Sequence, residues 1–144
     1  MAAFGKAQYI KRVEDNRLLT GTGEFTDNLT RPDLAHLVLV RSPHAHAKIV
    51  GIDTAAARKS PGVIAVFTGD YMAKEGAGDF SFPAMFPNAD GSMPEMTPRP
   101  SLAHEAVRYV GEAVVAIVAE TREQAQDAVA LVEVPAKRVR SADC

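Results

Sequence analysis

The apolar positions along the chain fall into runs rather than a single period. Residues 33–42, "DLAHLVLVRS", are almost uninterruptedly apolar from Leu34 to Val40, the pattern of a strand covered on both faces. Pro43 has no amide hydrogen to give a ladder, so this strand should stop near Ser42. "AKIVGID" at 47–53 places β-branched residues at Ile49, Val50 and Ile52 and predicts a second strand. Asp53 or Thr54 can then cap a short helix over "TAAARKS", because either side chain accepts a free first-turn amide. Pro61-Gly62 ends that helix, "VIAVFTG" at 63–69 predicts a third strand, and Asp70 is placed to cap a brief turn over "YMAKE".

Further along, Val107–Val110 and Val114–Ala119 predict two strands joined by a turn at Gly111-Glu112. "TREQ" at 121–124 is a capping-box pattern, with Thr121 reaching the amide of Gln124 and the Gln124 side chain reaching back. Ala125, Ala128, Val129 and Val132 follow at the spacing of a helix with one apolar face. The order β-β-α-β-loop-β-β-α implies an α+β domain, a mixed sheet with two main helices packed on it.

The intervening stretches set the organisation. Residues 1–16 are polar and read as an N-terminal arm, and "LLTGTGEFTDNL" at 18–29 carries turn signals. Residues 73–100 show no period; they hold five prolines together with Phe80, Phe82, Phe86, Met85, Met93 and Met96. So long a structureless loop is unusual in a compact domain, and its large apolar residues are expected to lie against another surface. The folded domain is thus assigned to 17–134, and 135–144 to a disordered C-terminal tail.

Composition narrows the function classes. A chain of 144 residues fits one domain with a real core. Lys+Arg 16 against Asp+Glu 18 gives a net charge of -2, with no global attraction to nucleic acid or anionic membranes; Lys137, Arg138 and Arg140 are the one basic cluster. The single cysteine, Cys144, excludes an internal disulfide and a zinc-thiolate set within the chain. No apolar run has the length of a signal peptide or a membrane span, so a cytoplasmic location is the default expectation.

Candidate chemistry is sparse. His44 and His46, at i and i+2, would face the same side of an extended chain, but a catalytic zinc takes about three protein ligands and a structural one four. His36 and His104 lie at no ligand spacing from them, so the histidines are assigned to a Ser42-Pro43-His44 turn with imidazoles bonded to nearby backbone. "GTGEFT" at 21–26 has Thr26 in place of the third glycine of a dinucleotide fingerprint and leads to Pro32 rather than a helix. It predicts a tight glycine turn. Glu14, Asp15 and Asp33 read as solvated surface, Ser42 lies too close in sequence to His44 to imply a nucleophile–base pair, and Cys144 has no evident activating environment. No catalytic, cofactor-binding or metal residue is assigned.

Three segments together are more specific than any one of them. "RVEDNRLLTGTGEFTDNL", "HLVLVRSPHAHAKIVGIDTAAARKSPGVIAVFTGDY" and "VRYVGEAVVAIVAETREQAQDAVALVEV" resemble the start of the large, molybdopterin-binding subunit of the xanthine dehydrogenase / aldehyde oxidase family. The likeness covers about residues 10–134, with Ala113 where the family usually has proline. It implies an α/β-hammerhead domain, and a parent enzyme that hydroxylates aldehydes or heteroaromatic carbons at a molybdenum held by a pterin. It also implies that the catalytic base and cofactor loops belong to later domains. The chain ends in "PAKRVRSADC" where the family continues, which the resemblance reads as a truncation, a split gene or a shifted frame. The expectation is a structural and interface domain with no cofactor of its own, partnered by molybdopterin-binding domains, on a separate chain if the gene is split. Two alternatives stand beside it: a self-associating module, and a metal-binding protein using His44 and His46.

Overall fold

A computed structural model describes residues 12–80, 86–94 and 99–139. The chain divides into two units, one running to Leu34 and the other starting at Ala35; the boundary lies inside the stretch that the sequence assigns to one domain. In the first unit, helix α1 (Asp15–Leu19) leads into a turn where Gly21 has φ +71°, and Thr26–Asn28 form one 3-10 turn. The "GTGEFT" stretch is therefore a glycine turn between short helical pieces.

The second unit holds two antiparallel three-stranded sheets, ordered β1-β5-β3 and β4-β2-β6. Their strands are β1 (His36–Arg41), β2 (Ala47–Ile49), β3 (Val63–Thr68), β4 (Ala106–Val107), β5 (Ala113–Ala119) and β6 (Ala136–Arg138). The helices are α2 (Ala55–Arg58), α3 (Gly69–Lys74) and α4 (Arg122–Val129). The α+β class stands as predicted. All the strand pairings are antiparallel, in two sheets where the element order had suggested one mixed sheet.

β5 is the central strand of its sheet, pairing His36–Val40 on one side and Val63–Thr68 on the other. It contributes Val114, Val115 and Ile117 to the core, all 1% exposed or less. α4 packs against β1, β5 and β3, and it approaches closely because Ala125 and Ala128 are the fully buried residues of its inner face. Its capping box is made in both directions: the Gln124 amide donates to Thr121 Oγ1 at 3.2 Å, and the Thr121 amide donates to Gln124 Oε1 at 3.0 Å.

Some local expectations are corrected. Of the two caps expected for α2, Asp53 serves, its Oδ1 accepting the Ala55 amide at 2.8 Å, while Thr54, at the N-cap position, makes no capping bond. α3 is capped by Thr68, whose Oγ1 accepts from the Tyr71 amide, and Asp70 lies within the helix. Val107 and Val114 belong to strands in different sheets, so the Gly111 turn is a crossover rather than a hairpin. Residues 136–138, assigned to the tail, form β6 beside β2. The pairing continues past β2 through Val50 to Pro135 and a reciprocal Asp53–Glu133 bridge. In the 73–100 stretch, Phe80 bridges Arg99, and Phe80, Phe86 and Met93 are exposed. Phe82, Met85, Met96, Arg140 and Cys144 lie outside the described residues.

Candidate functional site

The two sequence segments that carry the family pattern meet in space. β1 ends in an irregularity between Val40 and Arg41, and the chain then turns through Ser42-Pro43-His44. Proline at 43 ends the ladder because it has no amide hydrogen. Ser42 closes the turn with its own side chain: its hydroxyl accepts from the His44 amide at 3.0 Å and lies 3.2 Å from the His44 carbonyl, to which it donates. This is the ordinary way a serine stabilises a bend.

Against this turn sits the crossover at 108–112. The Ser42 amide donates to the Glu112 carbonyl at 2.9 Å, and the Gly111 amide donates back to the Ser42 carbonyl at 2.8 Å. Arg41 Nη1 adds a bond to the Gly111 carbonyl at 2.8 Å. Gly111 has φ +88°, a left-handed conformation that glycine adopts without a Cβ penalty. The Glu112 carboxylate is buried, 6% exposed, and Oε2 accepts a short bond from the Arg108 amide. Bonds of this charge-assisted kind are among the stronger ones in proteins. The sequence reads Gly111-Glu112 only as a turn; the buried carboxylate that closes it, and the arginine that ties it to β1, carry no local signal.

This junction borders a partly open pocket of about 140 Å³. Its wall is mostly apolar, built from Val40, Ile49, Val107, Val114, Val132 and Val134 together with Ala136 and Pro43, and it reaches Arg41, Ser42 and His44. Both sheets and the segment after α4 contribute to it. His44 is half-buried, and its Nδ1 is buried with no hydrogen-bond partner. Leaving such a group unpaired costs about 1–3 kcal/mol. The turn itself is as predicted, but this imidazole nitrogen does not bond to nearby backbone.

The other sequence candidates are dispersed. His46 is exposed and its carbonyl accepts from the Val139 amide at 3.3 Å. His36 lies on β1 opposite Ala119. His104 is half-buried with its Nδ1 unpartnered. Among the described residues there is no group of three or more His, Cys, Asp or Glu able to hold a metal ion. Glu14 and Asp15 start α1, Asp33 adopts φ 61°, and Lys137 and Arg138 lie on β6. No helix among the described residues is long and apolar enough to cross a membrane.

The outer face of the β1-β5-β3 sheet is the second notable feature. Side chains alternate across a strand, and Val38 and Val40 face the core. Leu37 and Leu39 therefore face the other way, in register with Val118 and Ala116. Leu37 is 58% exposed, and Leu39, Val118 and Phe67 are half-buried beside it.

The family model described as aldehyde oxidase and xanthine dehydrogenase, a/b hammerhead domain, matches residues 20–138. The nicotine 6-hydroxylase large subunit of Paenarthrobacter nicotinovorans is 45% identical over 123 residues, covering 85% of this chain and 14% of that protein. The carbon monoxide dehydrogenase large chain of Afipia carboxidovorans is 37% identical over 126 residues, covering 86% and 14%. Among solved structures, quinoline 2-oxidoreductase from Pseudomonas putida 86 superposes with a TM-score of 0.74 at 36% identity, covering 91% of this chain and 16% of that one. A Cu,Mo-CO dehydrogenase gives 0.73 at 35% identity, covering 90% and 15%. The chain spans about one-seventh to one-sixth of the lengths of these relatives.

Proposed function

The chain belongs to the aldehyde oxidase and xanthine dehydrogenase family as its a/b hammerhead domain, and on that premise we propose that it acts as a structural and interface element of a molybdenum-containing oxidoreductase, supplying no catalytic residue itself. The observation that carries this reading is the outer sheet face, where Leu37 is 58% exposed. An apolar strip on a sheet face, with Leu37 exposed and Leu39, Val118 and Phe67 half-buried beside it, suits an interaction surface. The polar groups of the signature segments support it too. Ser42, Arg41 and Glu112 each bond to backbone at the junction, so they hold the fold rather than stand ready for a reaction.

The partner in this reading is the set of molybdopterin-binding domains, which cover the Leu37 face. The cofactor belongs with them. The junction pocket, at about 140 Å³ with a mostly apolar wall, does not suit a pterin with its polar ring edge and phosphate.

Co-expression with a molybdopterin-binding chain of this family tests the proposal. The expected result is co-purification that Leu37→Glu abolishes while the variant keeps its fold. A monodisperse chain that ignores the candidate subunit would overturn it. The same open face also favours self-association, and light scattering across concentrations separates the two: a rising mass for this chain alone identifies the homo-oligomer.

A further inference from the structure

The pocket beside the 42–44 turn joins an apolar wall to a cation that has no anionic partner among the described residues. We propose that it binds a small free monocarboxylic acid with a compact apolar body, the body lying among the valines and the carboxylate on the Arg41 guanidinium. The pocket holds about 140 Å³, the scale of an engineered apolar cavity of roughly 150 Å³ that admits one benzene ring.

Arg41 supplies the polar end. It is exposed, it lines the pocket, and its Nη1 donates to the Gly111 carbonyl at 2.8 Å. That bond ties the guanidinium to the junction while using one of its five N–H donors; the others have no partner among the described residues. Two parallel N–H groups of a guanidinium match the two oxygens of a planar carboxylate. The surrounding charge favours an anion. No acidic side chain among the described residues lines the pocket, and the carboxylate of Glu112, next to Gly111, is buried and accepts the Arg108 amide. The rest of the wall sets the body of the ligand. Val40, Ile49, Val107, Val114, Val132 and Val134 offer no side-chain hydrogen bond, and the Ser42 hydroxyl is engaged with the His44 backbone. A ligand polar throughout would lose its hydration there without return, and a long acyl chain exceeds the volume. Because the pocket is partly open, the carboxylate keeps water on one side, and its pairing with Arg41 has the modest strength of an exposed ion pair.

The test titrates benzoate, benzamide and acetate into the full 144-residue chain with labelled valine methyls and arginine side-chain nitrogens. Benzoate should shift Val107 and Val114 saturably and move the Arg41 Nε resonance. Benzamide has the same ring without the charge, so benzoate should bind about two- to fivefold tighter at low salt, and the gap should close at high salt. Acetate, which has no body to bury, should not saturate the valines. In Arg41→Gln the preference for benzoate should vanish while benzamide still binds; in Val134→Phe, which narrows the pocket, both should weaken. If either variant fails to fold, the gap between benzoate and benzamide in the wild type and its salt dependence decide. No saturable response of the valines to benzoate overturns the proposal. So does equal affinity for benzoate and benzamide at low salt, or an acetate response that matches benzoate, which marks an ion on an exposed arginine alone.

Discussion

Replacing Glu112 by alanine should loosen the junction where the two signature segments meet. The carboxylate is 6% exposed and accepts the Arg108 amide, and a hydrogen bond to a charged group contributes about 1.5–3 kcal/mol. The lost Cγ methylene adds about 0.8 kcal/mol, and release of the carboxylate from burial offsets part of the total. The net loss is about 2–3 kcal/mol, or roughly 4–12 °C in Tm for a chain of this size. Glu112→Gln keeps an oxygen for the Arg108 amide and loses only the charge assistance, so it should cost about 1 kcal/mol. Equilibrium urea unfolding, with an unchanged slope, measures both. Hydrogen exchange at Arg108 should accelerate in Glu112→Ala and stay slow in Glu112→Gln. If Glu112→Ala lies within about 0.5 kcal/mol of wild type, the carboxylate does not hold the turn; if glutamine is as harmful as alanine, the contribution comes from the charge and not from the accepting oxygen alone.

Three further outcomes follow from the same structure. Gly62 has φ +76°, and a Cβ there would fall 2.2 Å from the Gln124 side chain. Gly62→Ala should therefore cost about 1–2 kcal/mol for the backbone and about 1 kcal/mol more for the displaced cap; that second part should disappear in a Gln124→Ala background, and equal costs in both would refute the coupling. Ile117→Ala, at a fully buried position of the central strand, should destabilise by about 2–5 kcal/mol in denaturant unfolding, whereas Val110→Ala, 66% exposed, should stay within about 0.5 kcal/mol. Asp90 is held below its ordinary pKa by the hydroxyl and amide of Ser92; its small stabilising effect is present above the ordinary carboxylate range and is lost as pH falls through the lowered pKa. Ser92→Ala should raise the Asp90 midpoint in an NMR titration, and an unchanged midpoint would remove the hydroxyl as the cause.

Elements with a local cause were legible in the sequence. β1, β3 and β5 announce themselves as apolar runs, and α4 by its Thr121–Gln124 box, because burial and capping act over a few residues. β6 was not legible: Ala136-Lys137-Arg138 reads as a polar tail, and only the distant β2 makes it a strand. The choice of Asp53 over Thr54 and of Thr68 over Asp70 as cap rests on backbone angles that composition does not carry. The site was half-visible. The Ser42-Pro43 turn follows from residue types, whereas the cavity needs Val107, Val114 and Val132, which come together only once both sheets exist.

The place of β5 in its sheet bears on how the chain is made. β1 and β3 have no bond to each other and depend on the strand between them, which comes only after the long 73–100 stretch. At about 5–20 residues per second, a nascent chain carries two apolar strands with open edges for some seconds before their common partner is synthesised. Unpaired strand edges are sites of wrong association, so the yield of this domain should depend on temperature and on chaperone supply during translation more than the stability of the finished fold would suggest.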